Sequence, residues 1–112
     1  MINMSSVSDI AKKALESEDT IEKTFEGRMD GKGGYLVMSN KKLMFVREEG
    51  FLRKSYNVAL EIPYEKIGKI SVEQDGMNLV DTEGKRNVFK PFYLTSISVI
   101  EKSLQSLIVA HK

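Results

Sequence analysis

The chain carries one histidine, His111, and no cysteine. Thiolate metal sites, disulfides and cysteine nucleophiles are excluded together. A serine or threonine nucleophile needs a base within hydrogen-bond reach. His111 stands next to the last residue, where a frayed side chain is expected and a near-attack geometry cannot be held. Glu16, Glu18 and Asp19, and the pair Glu48–Glu49, sit at element ends where carboxylates stay solvated. None of them follows the alternating acidic pattern of a calcium loop. Gly31–Lys32–Gly33–Gly34 has the composition of a phosphate loop, but such loops open a helix whose amides face the anion. Here the glycines lead into an extended run, so a hairpin turn is the expectation. Neither an enzyme, a cofactor, a metal nor a small-molecule substrate is predicted. Phe51–Leu52–Arg53–Lys54 is different: two large apolar residues beside two cations are what interfacial contacts prefer. The structural alternative is that Phe51 folds back and plugs the end of the sheet.

Composition narrows the partner class. The 112 residues include 17 basic and 16 acidic side chains, 41% hydrophobic and 29% charged residues, the profile of one ordinary globular domain. The near-balance of charge argues against a basic stripe for a nucleic-acid backbone. No basic stretch followed by an apolar run opens the sequence, and no apolar stretch is long enough to span a membrane as a helix. A cytoplasmic location is the expectation.

Hydrophobic periodicity supplies the elements. Ser6 or Ser8 can cap a short helix over Asp9–Leu15, with Ile10, Ala11, Ala14 and Leu15 as its apolar stripe. From Thr20 the period changes to two. Strands are predicted at Ile21–Met29, Tyr35–Ser39, Lys42–Arg47, Tyr56–Ile62, Ile67–Gln74, Met77–Asp81 and Lys85–Phe89. Asp30–Gly34, Asn40–Lys41, Asp75–Gly76 and Glu83–Gly84 separate them as turns. A helix from Thr95 to Ala110 closes the chain, capped by Thr95 or by Ser98 with Glu101, its stripe being Ile97, Ile100, Leu104, Leu107 and Ile108.

The second and third strands define two faces. A two-residue Asn40–Lys41 loop pairs Met38 with Leu43 and Leu36 with Phe45, which makes that face the core. The opposite face then carries Tyr35, Val37, Met44 and Val46, apolar where a solvated sheet face is polar. A contiguous apolar patch implies a cover or a partner. The N-terminal helix and a second subunit are the two candidates, and the small apolar area of the helix favours self-association.

Three segments carry a family resemblance. Gly34–Phe45 is similar to a "G-x-L-x-x-T-N-x-R-L-x-F" hairpin, with Ser39 for Thr and Lys42 for Arg; Leu60–Ile67 is similar to an "I-P-x-x-x-I" strand exit; and Met77–Lys85 followed by Phe89 is similar to a hairpin with a "G-K" turn. In this order they resemble the pleckstrin-homology superfold, in particular its prokaryotic and GRAM-type branches. The resemblance implies a mainly β (α+β) fold: a seven-stranded, strongly bent antiparallel sheet, or partly open barrel, with a C-terminal amphipathic helix and a short N-terminal helix. Residues 1–19 would form a loose start and that helix, and residues 20–112 the domain. It also implies that the first-second, third-fourth and sixth-seventh strand connections share a rim, gathering Lys32, Phe51, Leu52, Arg53, Lys54, Lys85 and Arg86. Asp30, Glu48, Glu49 and Glu83 lie among them, so the field is mixed. Phosphoinositide-binding members carry a basic cluster across the first hairpin, and Tyr35–Met38 contains no basic residue. The implied function is a non-catalytic intracellular module that binds a protein partner, itself included, through Tyr35, Val37, Met44 and Val46. The alternative is weak binding to anionic membrane through the rim.

Overall fold

A computed structural model describes residues 20–50, 52–53, 55–73, 76–92 and 97–111. The helix expected over Asp9–Leu15 lies outside them. Seven strands, β1 (Ile21–Met29), β2 (Lys32–Ser39), β3 (Lys42–Glu49), β4 (Ser55–Pro63), β5 (Ile67–Glu73), β6 (Gly76–Asp81) and β7 (Arg86–Pro91), form one antiparallel sheet. Its order is β4-β3-β2-β1-β7-β6-β5, which leaves β4 and β5 at the edges. A single 3-10 turn, η1 (Tyr64–Lys66), joins them, and the helix α1 (Ile97–Ala110) follows. The mainly β fold expected from the sequence is the fold observed.

Two turns show how local chemistry fixes the register. Asp30 and Gly31 both have positive φ, 50° and 84°, as a two-residue turn of the primed type requires. The expected five-residue turn is therefore a two-residue one, and Gly33 and Gly34 belong to β2. The Asp30 carboxylate accepts hydrogen bonds from the Val88 amide at 3.0 Å and the Asn87 side chain at 2.8 Å, tying this turn to β7. At the other end, Asn40 and Lys41 lack positive φ, so a side chain holds that turn instead. Ser39 Oγ accepts from the amides of Lys41 and Lys42 at 3.1 and 2.9 Å and donates to the Lys42 carbonyl at 3.0 Å. Asn40 Oδ1 accepts from the Thr20 amide at 2.8 Å, so the Ser-Asn pair of the hairpin motif locks β2, β3 and the start of β1 together.

The core lies between the two halves of the bent sheet. Leu36, Met38, Leu43, Phe45, Met77, Leu79 and Phe89 fill it, with Ile100, Leu104 and Ile108 of α1 packed from the open side. Phe45 and Phe89 meet edge to face at 6.2 Å between centroids, joining β3 to β7 across the interior. A pair of glycines makes room for them. Gly27 and Gly34 are cross-strand partners; a Cβ on Gly27 would meet the Phe89 ring at 2.6 Å, and one on Gly34 would strike the Val46 carbonyl and the Phe45 ring. Glycine in a strand interior marks such a close approach. Gly34→Val is expected to cost about 3 kcal/mol, the upper part of the overpacking range. Gly33→Ala, with nothing within 4 Å of the added carbon, is the control that chemical denaturation should show close to wild type.

Helix α1 starts at Ile97, so Ser98 lies inside the first turn and is not its cap; Thr95 is outside the described residues. Its buried residues, Ile97, Ile100, Leu104 and Ile108, are those of the expected stripe, with Leu107 partly buried. The helix packs on β5, β6 and η1.

Candidate interaction surfaces

The hairpin register pairs Met38 with Leu43, Val37 with Met44, Leu36 with Phe45 and Tyr35 with Val46. Leu36, Met38, Leu43 and Phe45 accordingly face the core, while Tyr35, Val37, Met44 and Val46 form a second, separate apolar cluster on the other face. This second cluster is sealed: Met44 and Val46 are 0% exposed, Val37 1% and Tyr35 3%. Ile21, Tyr56 and Val58 flank it on the neighbouring strands.

Irregularities in pairing bring those flanking residues to the outer face. Val46 pairs with Val58 and Phe45 with Leu60, so Ala59 is an extra residue and the facing of β4 reverses there. Tyr56 and Val58 point outward, and Leu60 and Ile62 join the core side. The shift between Ile21 and Lys23 does the same in β1: Ile21 joins the outer cluster, while Lys23 Nζ donates to Ser103 Oγ of α1 at 2.8 Å. Strict alternation placed Ile21 and Phe25 on one face, and the bulge separates them. Burial and the neighbouring Glu26, with Glu48 and Tyr56 adding to them, push the Tyr35 phenol well above its ordinary value.

The loop rim is partly assembled. Gly50, the 90% exposed Leu52 and the exposed Arg53 form the described part of the β3–β4 connection; Phe51 and Lys54 lie outside the described residues. Lys32 shares a cavity of about 130 Å³ with Asp30, Arg47, Leu60 and Asn87, where the β1–β2 turn meets the beginning of β7. Arg47 and Asn87 are rim residues the sequence did not single out; their signal was strand-end position alone. Arg47 pairs with Glu49 at 3.0 Å. Lys85 lines a different depression with Glu61, Lys66, Asp81 and Glu83. Arg86 is held against β6 by Asn78 Oδ1 at 3.1 Å. Lys32 and Lys85, two of the cations expected to converge, thus line different depressions, each with acidic neighbours.

His111 corrects another expectation. It is not frayed: its ring lies 5.3 Å from that of Tyr64, and Nδ1 donates to the Leu107 carbonyl at 2.8 Å. Tyr64, wholly buried, donates its hydroxyl to the Ser39 carbonyl at 2.6 Å. The histidine therefore seats the end of α1 on η1. Among the described residues no cluster of three or more His, Asp or Glu side chains could hold a metal, and no helix is long and apolar enough to cross a membrane.

The model of a family described as bacterial PH domain matches residues 15–103. Of the two branches that the hairpin motifs resemble, this match supports the bacterial one. Among solved structures, the C-terminal domain of an unknown protein from Leishmania infantum is similar, with 17% identity over 96% of this chain and 99% of that one and a TM-score of 0.70. A protein with a pleckstrin-homology domain from Shewanella loihica is 16% identical, with 96% and 99% of the two chains covered and a TM-score of 0.63. A pleckstrin homology domain from Shewanella amazonensis is 17% identical, with 92% and 86% covered and a TM-score of 0.60. At these identities the likeness is one of fold. No curated protein matches the chain.

Proposed function

The chain belongs to the bacterial PH domain family, and from that premise we propose that it is a non-catalytic interaction module that meets anionic membrane through its loop rim. PH domains generally mediate contacts with proteins or lipids and are generally not catalysts. The observation that carries the rim as the contact surface is Leu52, the most exposed large apolar side chain among the described residues, standing beside exposed Arg53. An apolar tip enters the acyl boundary while adjacent cations remain at the headgroups. Each basic residue near an anionic surface contributes about 1 kcal/mol. Lys32, Arg53, Lys85 and Arg86, with Phe51 and Lys54 of the same loop, give weak attraction that the interleaved acids limit. Sedimentation with vesicles is expected to show binding to phosphatidylserine-containing but not to purely phosphatidylcholine membranes, and its loss as salt shortens the screening length. Equal and negligible sedimentation with both at low salt would exclude the membrane contact.

A second function, binding of a protein partner or a second copy through Tyr35, Val37, Met44 and Val46, is favoured by the separation of that apolar cluster from the main core. Because the cluster is covered within one chain, such binding requires the cover to move or to be exchanged. Self-association there predicts a light-scattering mass that rises toward a dimer with concentration, and a constant monomer mass at high concentration excludes it.

A further inference from the structure

We infer that the outer face formed by β5, β6, β7 and the end of β1 is a docking surface for an acidic peptide segment that carries apolar side chains between its carboxylates. Met77, Leu79 and Phe89 point into the core, so strand alternation turns Asn78, Val80, Val88 and Lys90 outward. The register then sets Arg86 and Lys69 on either side of Val80, and Arg28 beside Lys90. These cations are exposed, while Val80 and Val88 between them are half-buried. Among the described residues, the carboxylates of this face are Glu73 and Glu26, on its two outermost strands. Asp30, at the rim, is turned to the Val88 amide and the Asn87 side chain. A chain whose total charge is nearly balanced thus gathers Arg28, Lys69, Arg86 and Lys90 on one face, the complement of an acidic partner.

Both guanidinium groups are held in place before any partner arrives. Asn78, 5% exposed, accepts from Arg86 Nε at 3.1 Å, which leaves the terminal nitrogens of that guanidinium for a carboxylate. Arg28 lies over the ring of Phe92, 5.7 Å from its centroid, within the range of a cation–π contact. Donors fixed in advance lower the ordering cost of binding. The spacing suits an extended chain. Strands about 4.8 Å apart and a rise of about 3.4 Å per residue put Lys69 about 20 Å from Arg28, the length of about six extended residues. Single-stranded nucleic acid needs successive aromatic platforms for its bases. Among the described residues Phe92 is the exposed aromatic ring of this face, and Arg28 already lies over it. A membrane is met by apolar side chains that project beyond the cations, whereas Val80 and Val88 sit recessed among them. A peptide with carboxylates for the cations and apolar side chains for the two valines matches both features.

The probe is a fluorescein-labelled peptide of alternating glutamate and leucine, about eight residues long so that it spans the face. Its anisotropy with the full chain is expected to rise at low salt, and its affinity to fall as salt is raised. Arg28→Glu together with Lys69→Glu, both at exposed positions, should weaken binding about tenfold or more, because repulsive contacts replace attractive ones. The circular dichroism spectrum of this variant should match that of wild type. Lys102→Glu, on α1 and outside the face, should leave binding unchanged. On titration into wild type, the amide resonances of Val80 and Val88 should shift. No binding at low salt, equal binding by the double variant, or equal loss in Lys102→Glu would overturn the assignment. Tighter binding of oligothymidylate than of the peptide would overturn it in favour of nucleic acid. Loss of phosphatidylserine-vesicle binding in the double variant but not in Leu52→Asp would overturn it in favour of membrane.

Discussion

Leu104→Ala is expected to lower the free energy of unfolding by about 2–5 kcal/mol, the range for a large-to-small change at a buried site. Leu104 is wholly buried at the centre of the α1 stripe, among residues of the main core. Its side chain closes the side of the bent sheet that β4 and β5 leave open. The cavity left by truncation is bounded by the sheet and cannot collapse without moving the whole helix. Urea denaturation followed by circular dichroism measures the effect. A change below about 0.5 kcal/mol, the size of ordinary surface substitutions, would mean that α1 does not close the core.

Tyr64→Ala is expected to cost about 3–5 kcal/mol, as for other buried aromatic truncations. This residue joins three elements: its ring lies under His111 at the end of α1, its amide donates to the Lys41 carbonyl at 3.4 Å, and its hydroxyl donates to the Ser39 carbonyl at 2.6 Å. Tyr64→Phe isolates the last of these and should cost about 1–2 kcal/mol, because a buried carbonyl loses its donor. The phenol also gives a pH signature. Burial, with the nearby Glu22 carboxylate adding to it, raises its pKa well above the ordinary value near 10. The folded chain therefore keeps a proton that the unfolded chain releases. The stabilisation is complete below pH 10 and declines as pH rises above it, by up to about 1.4 kcal/mol per pH unit for this one group. Stability measured from pH 9 to 12 should fall less steeply in Tyr64→Phe than in wild type. Parallel slopes would show that the phenol titrates normally in the folded chain.

The parts of this fold that were legible in the sequence rest on local signals. Asn40–Lys41 between two apolar runs was enough to set the β2–β3 register, and the 3.6-residue spacing of Ile97, Ile100, Leu104 and Ile108 was enough to orient α1. What remained hidden depends on contacts between distant residues. The extra residue Ala59 reverses the face of β4, yet Tyr56, Val58, Leu60 and Ile62 read as one unbroken alternation. Gly34 looks like a turn glycine until the Phe45 ring is seen above it. His111 looks like a loose end until Tyr64 is found beneath it. Likewise, the outer apolar face was correctly composed from the hairpin, but its burial within the chain is a fact of packing. For the rim, residue types suggested one convergence of cations. In the fold, Lys32 lines one depression and Lys85 another.

The membrane role of the rim can be read directly at its tip. The chain contains no tryptophan, so Leu52→Trp places a single indole at a position that is 90% exposed. Indole favours the headgroup level of a bilayer. With vesicles containing phosphatidylserine at low salt, its emission should shift to the blue and the shift should reverse as salt is raised, while phosphatidylcholine vesicles leave the spectrum unchanged. An indole that keeps its water-exposed spectrum beside anionic vesicles at low salt would contradict the rim as the membrane-contacting surface.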